Sequence, residues 1–324
     1  MQTSLHEVRS PDELLSLRSA WDGLLLRAKG YSFTQTPDYA FLAVETALRR
    51  GSRAFVVQAI EDGQLVGGWC LTAAREGLLV SVRPASCGSH EEYGAPLVDA
   101  AYGGPAVAAI VEQCQAIPVD RVVVSGVAEG NQLAAPMERL ARRVGQIDGF
   151  SASLSRFPDW EAYAAQASRS HLYNLRRAKR RLEDQGDLVI DWCRTPADVM
   201  AVLRWAWRNK QAWAKARRFD THYLRDDSVP DFFIDLANRV DLETNPLVSF
   251  VRLNGDLLAA QINLVGEKVF ELMFTTFSES QARWSPGDLL IQHSFQWAIA
   301  HGLDYDFRML LLLLYLFIEH ITND

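Results

Sequence analysis

The sequence is poor in what a disulfide-built or metal-built protein needs. Its 324 residues hold four cysteines, Cys70, Cys87, Cys114 and Cys193, scattered and without a C-x-x-C pair. That spacing excludes a disulfide framework and the usual zinc arrangements, and it points to a reducing, cytoplasmic compartment. No metal-ligand cluster is visible, so no metal is expected. Long apolar runs are missing too. The longest, "MLLLLLYLFI" at residues 309–318, is too short to span a bilayer. The opening "MQTSLHEVRSPDELL" lacks an apolar core, so no secretory signal is expected. There is no G-x-G-x-x-G, no Walker A loop and no G-x-S-x-G elbow. Nucleotide-dependent redox chemistry, kinase chemistry and a serine nucleophile are therefore disfavoured. Excess positive charge is absent as well: the net charge is -7. Any role in binding phosphate or nucleic acid has to rest on a local patch.

What is present is a globular composition, 48% apolar and 23% charged, of a length that suits two domains. "SPDELLSLRSAWDGLLLRA" begins with Ser10 and Pro11, then Asp12 and Glu13, and carries Leu14, Leu17, Trp21, Leu24 and Leu25 on one face. This is an amphipathic helix with an N-cap and a first-turn proline. "FTQTPDYAFLAVETALRR" predicts a second helix. "AFVVQAI-EDGQ-LVGGWCLTAA" predicts a hairpin, and "GLLVSV" a third strand. A Gly/Pro/Ser-rich loop follows, then a helix at "AVAAIVEQCQA", a buried strand at "RVVVSGV" and a helix at "AAPMERLARRVG".

From about Ser151 a second unit begins. "DWEAYAAQASRSHLYNLRRAKRRLEDQGD" reads as largely helical, "LVIDWC" as a strand, and two further helices follow. "LVSFVRL-NGD-LLAAQINLV-GEK-VFELMFTTF" predicts three strands joined by tight turns. A helix from "WSPGDLLIQHSFQWAIAHG" and a strand "DYDF" come after them. Set against each other, "AFVVQAIEDGQLVGGWCL" and "VSFVRLNGDLLAAQINL" share a β-run, a Gly-containing turn and a β-run beginning with Leu. In both halves helices come first, then an antiparallel meander, then a helix and a strand. Identity between the halves is low, so the repeat lies in order and spacing.

This doubled order resembles the GNAT acyltransferase fold, and two copies in one chain resemble the Fem-type transferases. Two stretches are similar to the bacterial Fem-like, cellulose-biosynthesis-associated acetyltransferases. One is "SRSHLYNLRRAKRRLEDQGDL", residues 168–188; the other is "WSPGDLLIQHSFQWAIAHGLDYDF", residues 284–307. The resemblance implies an α+β (α/β) protein of two GNAT-like domains, residues 1–150 and 151–324. Each would be a mostly antiparallel twisted sheet flanked by helices. It implies acetyl-CoA or another acyl-CoA as co-substrate, held by the second domain, and an amine acceptor near the meeting of the halves. The acceptor would be a small molecule, a glycan or a peptide. After Phe307 the chain departs from the family pattern and reads "RMLLLLLYLFIEHITND". That ending has the character of a replaced C-terminus. Its apolar run predicts burial at an edge or self-association.

The helix at 286 carries the first candidate site. Ser285 suits an N-cap, Pro286 the first helical position and Asp288 the third position of a capping box. A helix N-terminus offers free N–H groups and a positive dipole end to a pyrophosphate. The expected donors are the backbones of Gly287, Asp288 and Leu289. A well-capped core helix accounts for the same residues. The basic stretch Arg169, Arg176, Arg177, Lys179, Arg180 and Arg181 contains no acid. Arg176 and Arg180 share a face and are expected beside an anionic cofactor; a solvated face explains them as well. Glu271, alone in the apolar "VFELMF", and Asp306 in "DYDF" are the candidate proton acceptors for an attacking amine. Solvent exposure and a structural hydrogen bond are the respective alternatives. Gln261 and Asn263 alternate on one strand face, suiting either a cleft or solvent. His293 and His301 read as structural.

Three functions follow: N-acyl transfer from acyl-CoA to an amine in a ternary complex, Fem-like aminoacyl transfer from tRNA to a cell-wall precursor, or an inactive partner protein in polysaccharide biosynthesis. Nucleic acid enters only through the second.

Overall fold

The structure is a computed structural model that describes residues 1–88, 93–127, 131–141, 145, 149–219 and 222–307. The apolar run at 309–318, with the burial or association expected of it, lies outside the described residues. The backbone divides into two compact units, Met1–Ile147 and Asp148–Asp324.

The first unit runs β1 (Gln2–Val8), α1 (Pro11–Arg27), α2 (Pro37–Arg49), β2 (Arg53–Glu61), β3 (Gln64–Glu76), β4 (Leu79–Pro84), β5 (Leu97–Val98), α3 (Gly103–Gln113), β6 (Arg121–Val122) and α4 (Ala134–Leu140). Its sheet has the order β1-β2-β3-β4-β6, with β5 on β3. All pairs are antiparallel except β4–β6. Pro11 and Pro37 each open a helix at the first position, where a missing N–H costs nothing. Asp62 and Gly63 both take positive φ, 49° and 77°, in the two-residue turn between β2 and β3. Opposite faces of β3 pack so tightly that a Cβ on Gly67 would stand 2.8 Å from Ile110. One on Gly68 would stand 2.7 Å from Trp21.

The second unit runs β7 (Phe150–Ala152), α5 (Trp160–Gln166), α6 (Arg169–Glu183), β8 (Leu188–Trp192), α7 (Pro196–Ala216), α8 (His222–Arg225), α9 (Ser228–Ala237), β9 (Val248–Leu253), β10 (Asp256–Val265), β11 (Val269–Phe277), α10 (Pro286–Ala300) and β12 (Asp304–Phe307). The sheet order is β7-β12-β11-β10-β9-β8, with β11–β12 the parallel pair. Asn254 and Gly255 repeat the positive-φ turn, at 52° and 87°. Each unit is thus helices, an antiparallel meander, a helix and a returning parallel strand, as the repeated order in the sequence predicts.

Several elements differ from the sequence reading. β1 was not expected; it pairs with β2 along its whole length, although its residues are mostly partly exposed. "RVVVSGV" forms a strand only at Arg121–Val122, and neither residue is fully buried. The long helix expected across residues 159–187 is two. Asp159 caps α5, and Ser168, whose hydroxyl accepts from the His171 amide, starts α6 afresh.

Candidate functional site

β11 sets the geometry of the second unit. Across β10 it pairs Phe274 with Ile262 and Leu272 with Asn263, so Met273 is an extra residue, a β-bulge. Phe270 and Leu272 pack into the cluster under α10 with Ala298, Ile299, Leu303 and Tyr305. Beyond the bulge the alternation inverts: Phe274 stacks on Trp207 of α7, ring centroids 5.5 Å apart, and Asn209 of α7 donates to the Thr276 hydroxyl at 2.8 Å. β12 pairs with β11 from Val269 to Leu272. Among the described residues, Met273–Phe277 has no strand partner on that side.

Glu271 and Asp306 are cross-strand partners in the parallel pair. Phe270 and Leu272 flank Glu271, and Tyr305 and Phe307 flank Asp306; all four belong to the cluster under α10. Alternation therefore puts both carboxylates on the opposite face, the one that α7 covers. Glu271 is buried, 2% exposed, which removes the solvent-facing alternative for it. Both carboxylates have interaction partners in the fold.

Ser285 opens α10 in a left-handed conformation, φ 44° and ψ 54°, and its side chain caps no helix amide. The expected hydroxyl cap is not the one formed. A non-glycine residue there, directly before a proline, costs about 1–2 kcal/mol. The backbone does the capping: the Asp288 and Leu289 amides donate to the Ser285 carbonyl at 3.0 and 3.2 Å. Pro286 has no N–H, so the Gly287 amide is the one in the first turn without a backbone acceptor. The expected donor set of three narrows to Gly287, with Asp288 and Leu289 able to contribute only by sharing. A Cβ on Gly287 would have Phe277 Cδ1 as its nearest neighbour, at 3.5 Å, so this corner is open. Burial raises the Asp288 carboxyl above the usual range, against the opposing pull of His171 and the Ser285 hydroxyl. A carboxyl biased towards its neutral form is a milder neighbour for an anion than a fixed carboxylate.

The basic helix α6 lies against this corner. It packs on α10 and on the 3-10 turn Glu279–Trp284. Leu175 and Leu182 join Leu289, Leu290, Phe277 and Trp284 in one cluster. The inward leucines leave the cations outside: Arg176, Arg177 and Arg180 are exposed and form no ion pair among the described residues. Lys179 and Arg181 have only loose pairs to Glu183 and Asp184, both at 3.8 Å.

Gln261 and Asn263 are not in solvent. Both are fully buried beneath α10. Gln261 accepts from Ser294 at 3.0 Å, and Asn263 donates to Ser249 at 2.9 Å and to the Pro246 carbonyl at 2.8 Å. His301 stacks on Trp297 and contacts its carbonyl at 2.8 Å, a structural role at the helix end. His293 sits beside Trp192, and burial lowers its pKa. Lys210, on α7, escaped the sequence reading. Its signal was a lone cation midway between Trp207 and Trp213 on the apolar stripe of a helix. Among the described residues no group of His, Cys, Asp and Glu could hold a metal, and no helix is long and apolar enough to cross a membrane.

Residues 169–310 match the acetyltransferase (GNAT) domain family. No curated protein matches the sequence. Among solved structures, the C-terminal domain of a protein assigned as a lysylphosphatidylglycerol synthetase from Agrobacterium fabrum is similar, at 15% identity and TM-score 0.53. The match covers 92% of this chain and 78% of that one. FemX is similar at 12% identity and TM-score 0.47, over 95% of this chain and 88% of that one. A tandem GNAT protein from the clavulanic acid biosynthesis pathway gives 13% and 0.46, over 95% and 90%. With its doubled order of helices, meander, helix and parallel strand, and a match to the acetyltransferase (GNAT) domain family in the second unit, this chain is a tandem GNAT-fold protein.

Proposed function

We propose that the chain transfers an acyl group from coenzyme A to an amine, with the second unit holding the acyl-CoA. The observation that carries this reading is the α10 N-terminus. It has an unpaired Gly287 amide, an uncrowded corner and a basic helix packed against it. A pyrophosphate fits that chemistry: one free donor, a positive dipole end, and Arg176 and Arg180 without competing carboxylates. Acyl-CoA supplies the thioester carbonyl that the amine attacks.

The rest is asked of the protein. The edge of β11 beyond the bulge, which has no strand partner among the described residues, offers backbone groups to an extended ligand. Glu271 and Asp306, side by side on the α7 face, are the groups to take a proton from the attacking amine, directly or through water. Burial of Glu271 keeps that proton transfer out of bulk solvent. Calorimetry with acetyl-CoA tests the reading. Binding is expected in the micromolar range, and no heat at millimolar acetyl-CoA sinks it.

A second reading is aminoacyl transfer. The similarity to the lysylphosphatidylglycerol synthetase domain and the exposed arginines of α6 favour it. A salt-sensitive mobility shift with tRNA, without acetyl-CoA binding, would select it.

A further inference from the structure

We propose that Lys210, Trp213 and Arg217, at the C-terminal end of α7, form a docking site for an anionic oxygen group, phosphate or carboxylate, carried by the acyl acceptor. This rests on the acyl-transfer reading for the word acceptor, but not for the site itself. Lys210 is partly buried and makes no hydrogen bond or ion pair with any described residue. Its Nζ lies over the Trp213 ring, 4.5 Å from the centroid, and the Arg217 guanidinium lies 4.8 Å from the same centroid. Two cations share one aromatic platform, and neither neutralises the other. Among the described residues, Glu279 pairs with Arg217, and on neighbouring elements Asp227 accepts from Gln211 and Asp231 pairs with Arg204. Burial, with Arg217 adding to it, lowers the Lys210 pKa to about 8. A partly desolvated ammonium with no counter-ion among the described residues is costly, and a methionine would pack there at no such cost. The arrangement gains stability when an anion arrives.

The position argues for the acceptor rather than for coenzyme A. Asn209, next to Lys210, bonds the Thr276 hydroxyl and the Phe277 carbonyl, so this end of α7 is pinned beside the far end of β11. The face that α7 covers is the one carrying Phe274, Thr276, Glu271 and Asp306. The α6 arginines belong to the other face, over Val251, Leu253 and Ala259. Two sets of cations on opposite faces of one sheet serve two different anions. The set sharing a face with Glu271 and Asp306 serves the molecule whose amine must lose a proton. Arg217 keeps N–H groups beyond the one given to Glu279, and Trp213 is only partly buried, so both can be reached.

The chain has five lysines, so lysine Cε resonances are simple to follow by NMR. In protein labelled at lysine Cε, one resonance will disappear in Lys210→Met and so be assigned. Adding inorganic phosphate, without acyl-CoA, is expected to move that resonance towards its fully charged position. Phosphate affinity by calorimetry is expected to fall about tenfold in Lys210→Met and to be largely kept in Lys210→Arg. Vesicles of phosphatidylglycerol form the second arm. A response to vesicles alone assigns the anion to a lipid headgroup, and a response to phosphate assigns it to a soluble acceptor. A Lys210 resonance that neither probe moves overturns the proposal. Phosphate bound at Lys210 in a protein that ignores acetyl-CoA would keep this site and remove the acyl-transfer reading.

Discussion

The two units share an order of elements but settle their charges differently. In the first, the parallel pair sets Ser81 beside Arg121, and Arg121 is closed into a network. It donates to Ser81 at 2.7 Å and to Glu76 at 2.7 Å, while Arg83 reaches Glu76 at 2.7 Å. The same place in the second unit holds Glu271 beside Asp306, two acids as register partners. Helix entry differs too. A Cβ on Gly103 of α3 would meet the Gln132 side chain at 2.9 Å, whereas Gly287 of α10 faces an open corner. Arg18 and Arg27 of α1 are tied to Asp22, Asp38 and Asp99, whereas Arg176, Arg177 and Arg180 of α6 form no ion pair among the described residues. In the first copy Arg18, Arg27, Arg83, Arg121 and their acids satisfy one another. The other retains an amide, arginines and a lysine that a ligand could satisfy. That difference is the ground for proposing the acyl-CoA site in the second unit rather than the first.

The largest difference should appear at the parallel pairs. Glu271→Gln is expected to lower the rate of CoA release from acetyl-CoA and an amine by about 100-fold or more, at unchanged acetyl-CoA affinity. Ser81→Ala in the first unit should change the rate less than about twofold. Equal losses in both variants would mean the pairs matter only for folding. Asp306→Asn separates the two acids: the group that takes the proton should show the steeper loss and the altered pH profile.

The second contrast is in stability against pH. Hydrogen bonds from Arg83, Ser81 and Arg121 outweigh burial and hold the Glu76 carboxyl at about 2, against an ordinary 4.5. A depressed folded-state pKa contributes stability that is fully present above 4.5 and is lost as pH falls through that window to about 2. With Glu76 partly solvated, this contribution is about 1–2 kcal/mol. Glu76→Gln should cost that much at neutral pH by denaturant unfolding and flatten the acid limb of the stability profile. A variant with an unchanged acid limb would show that the first unit's network is ornamental.

Much of this contrast was visible in the residues, and the reasons for the rest are physical. Pro11, Pro37 and Pro286 at helix starts, and the Asp62-Gly63 and Asn254-Gly255 turns, depend on neighbours in the chain, so local chemistry placed them. The basic run of α6 leaves two alternatives open in the sequence, a solvated face or a wall for an anion; the structure buries Leu172, Leu175 and Leu182 and leaves Arg176, Arg177 and Arg180 exposed. The pairing of Glu271 with Asp306 depends on strand register, and a one-residue slip would have sent either to the other face. The bulge at Met273, which inverts the alternation of β11, has no local signal in "ELMFTTF". β1 was missed because an edge strand with mixed polarity lacks the period-two pattern. Gln261 and Asn263 looked ambiguous because burial of an amide is decided by partners, here Ser294 and Ser249, far along the chain.

A smaller effect is expected at the α6 cations. Replacing Arg176 and Arg180 together by Ala should weaken acetyl-CoA binding about threefold to tenfold and reduce its salt dependence. Folding should be unaffected, since both side chains are exposed. Lost binding with an unchanged salt dependence would point to a rearranged corner rather than to missing charges.

The smallest effect concerns strain. Four described non-glycine residues have positive φ: Asp62 and Asn254 in hairpin turns, Arg218 after α7, and Ser285. The turns and the helix end are places where such geometry is common, while Ser285 lies at a helix start, before a proline. Tyr102, entering α3 in the first unit, has φ -110° and no such strain. Ser285→Gly should therefore stabilise the second unit by up to about 1 kcal/mol, read as a higher denaturant midpoint at unchanged slope. If the left-handed turn exists to present the Gly287 amide, the variant will gain stability and lose acetyl-CoA affinity, because glycine frees the turn to adopt other conformations. A gain in stability with affinity intact would make the strain incidental to folding, and the open corner at Gly287 would have to carry the cofactor site unaided.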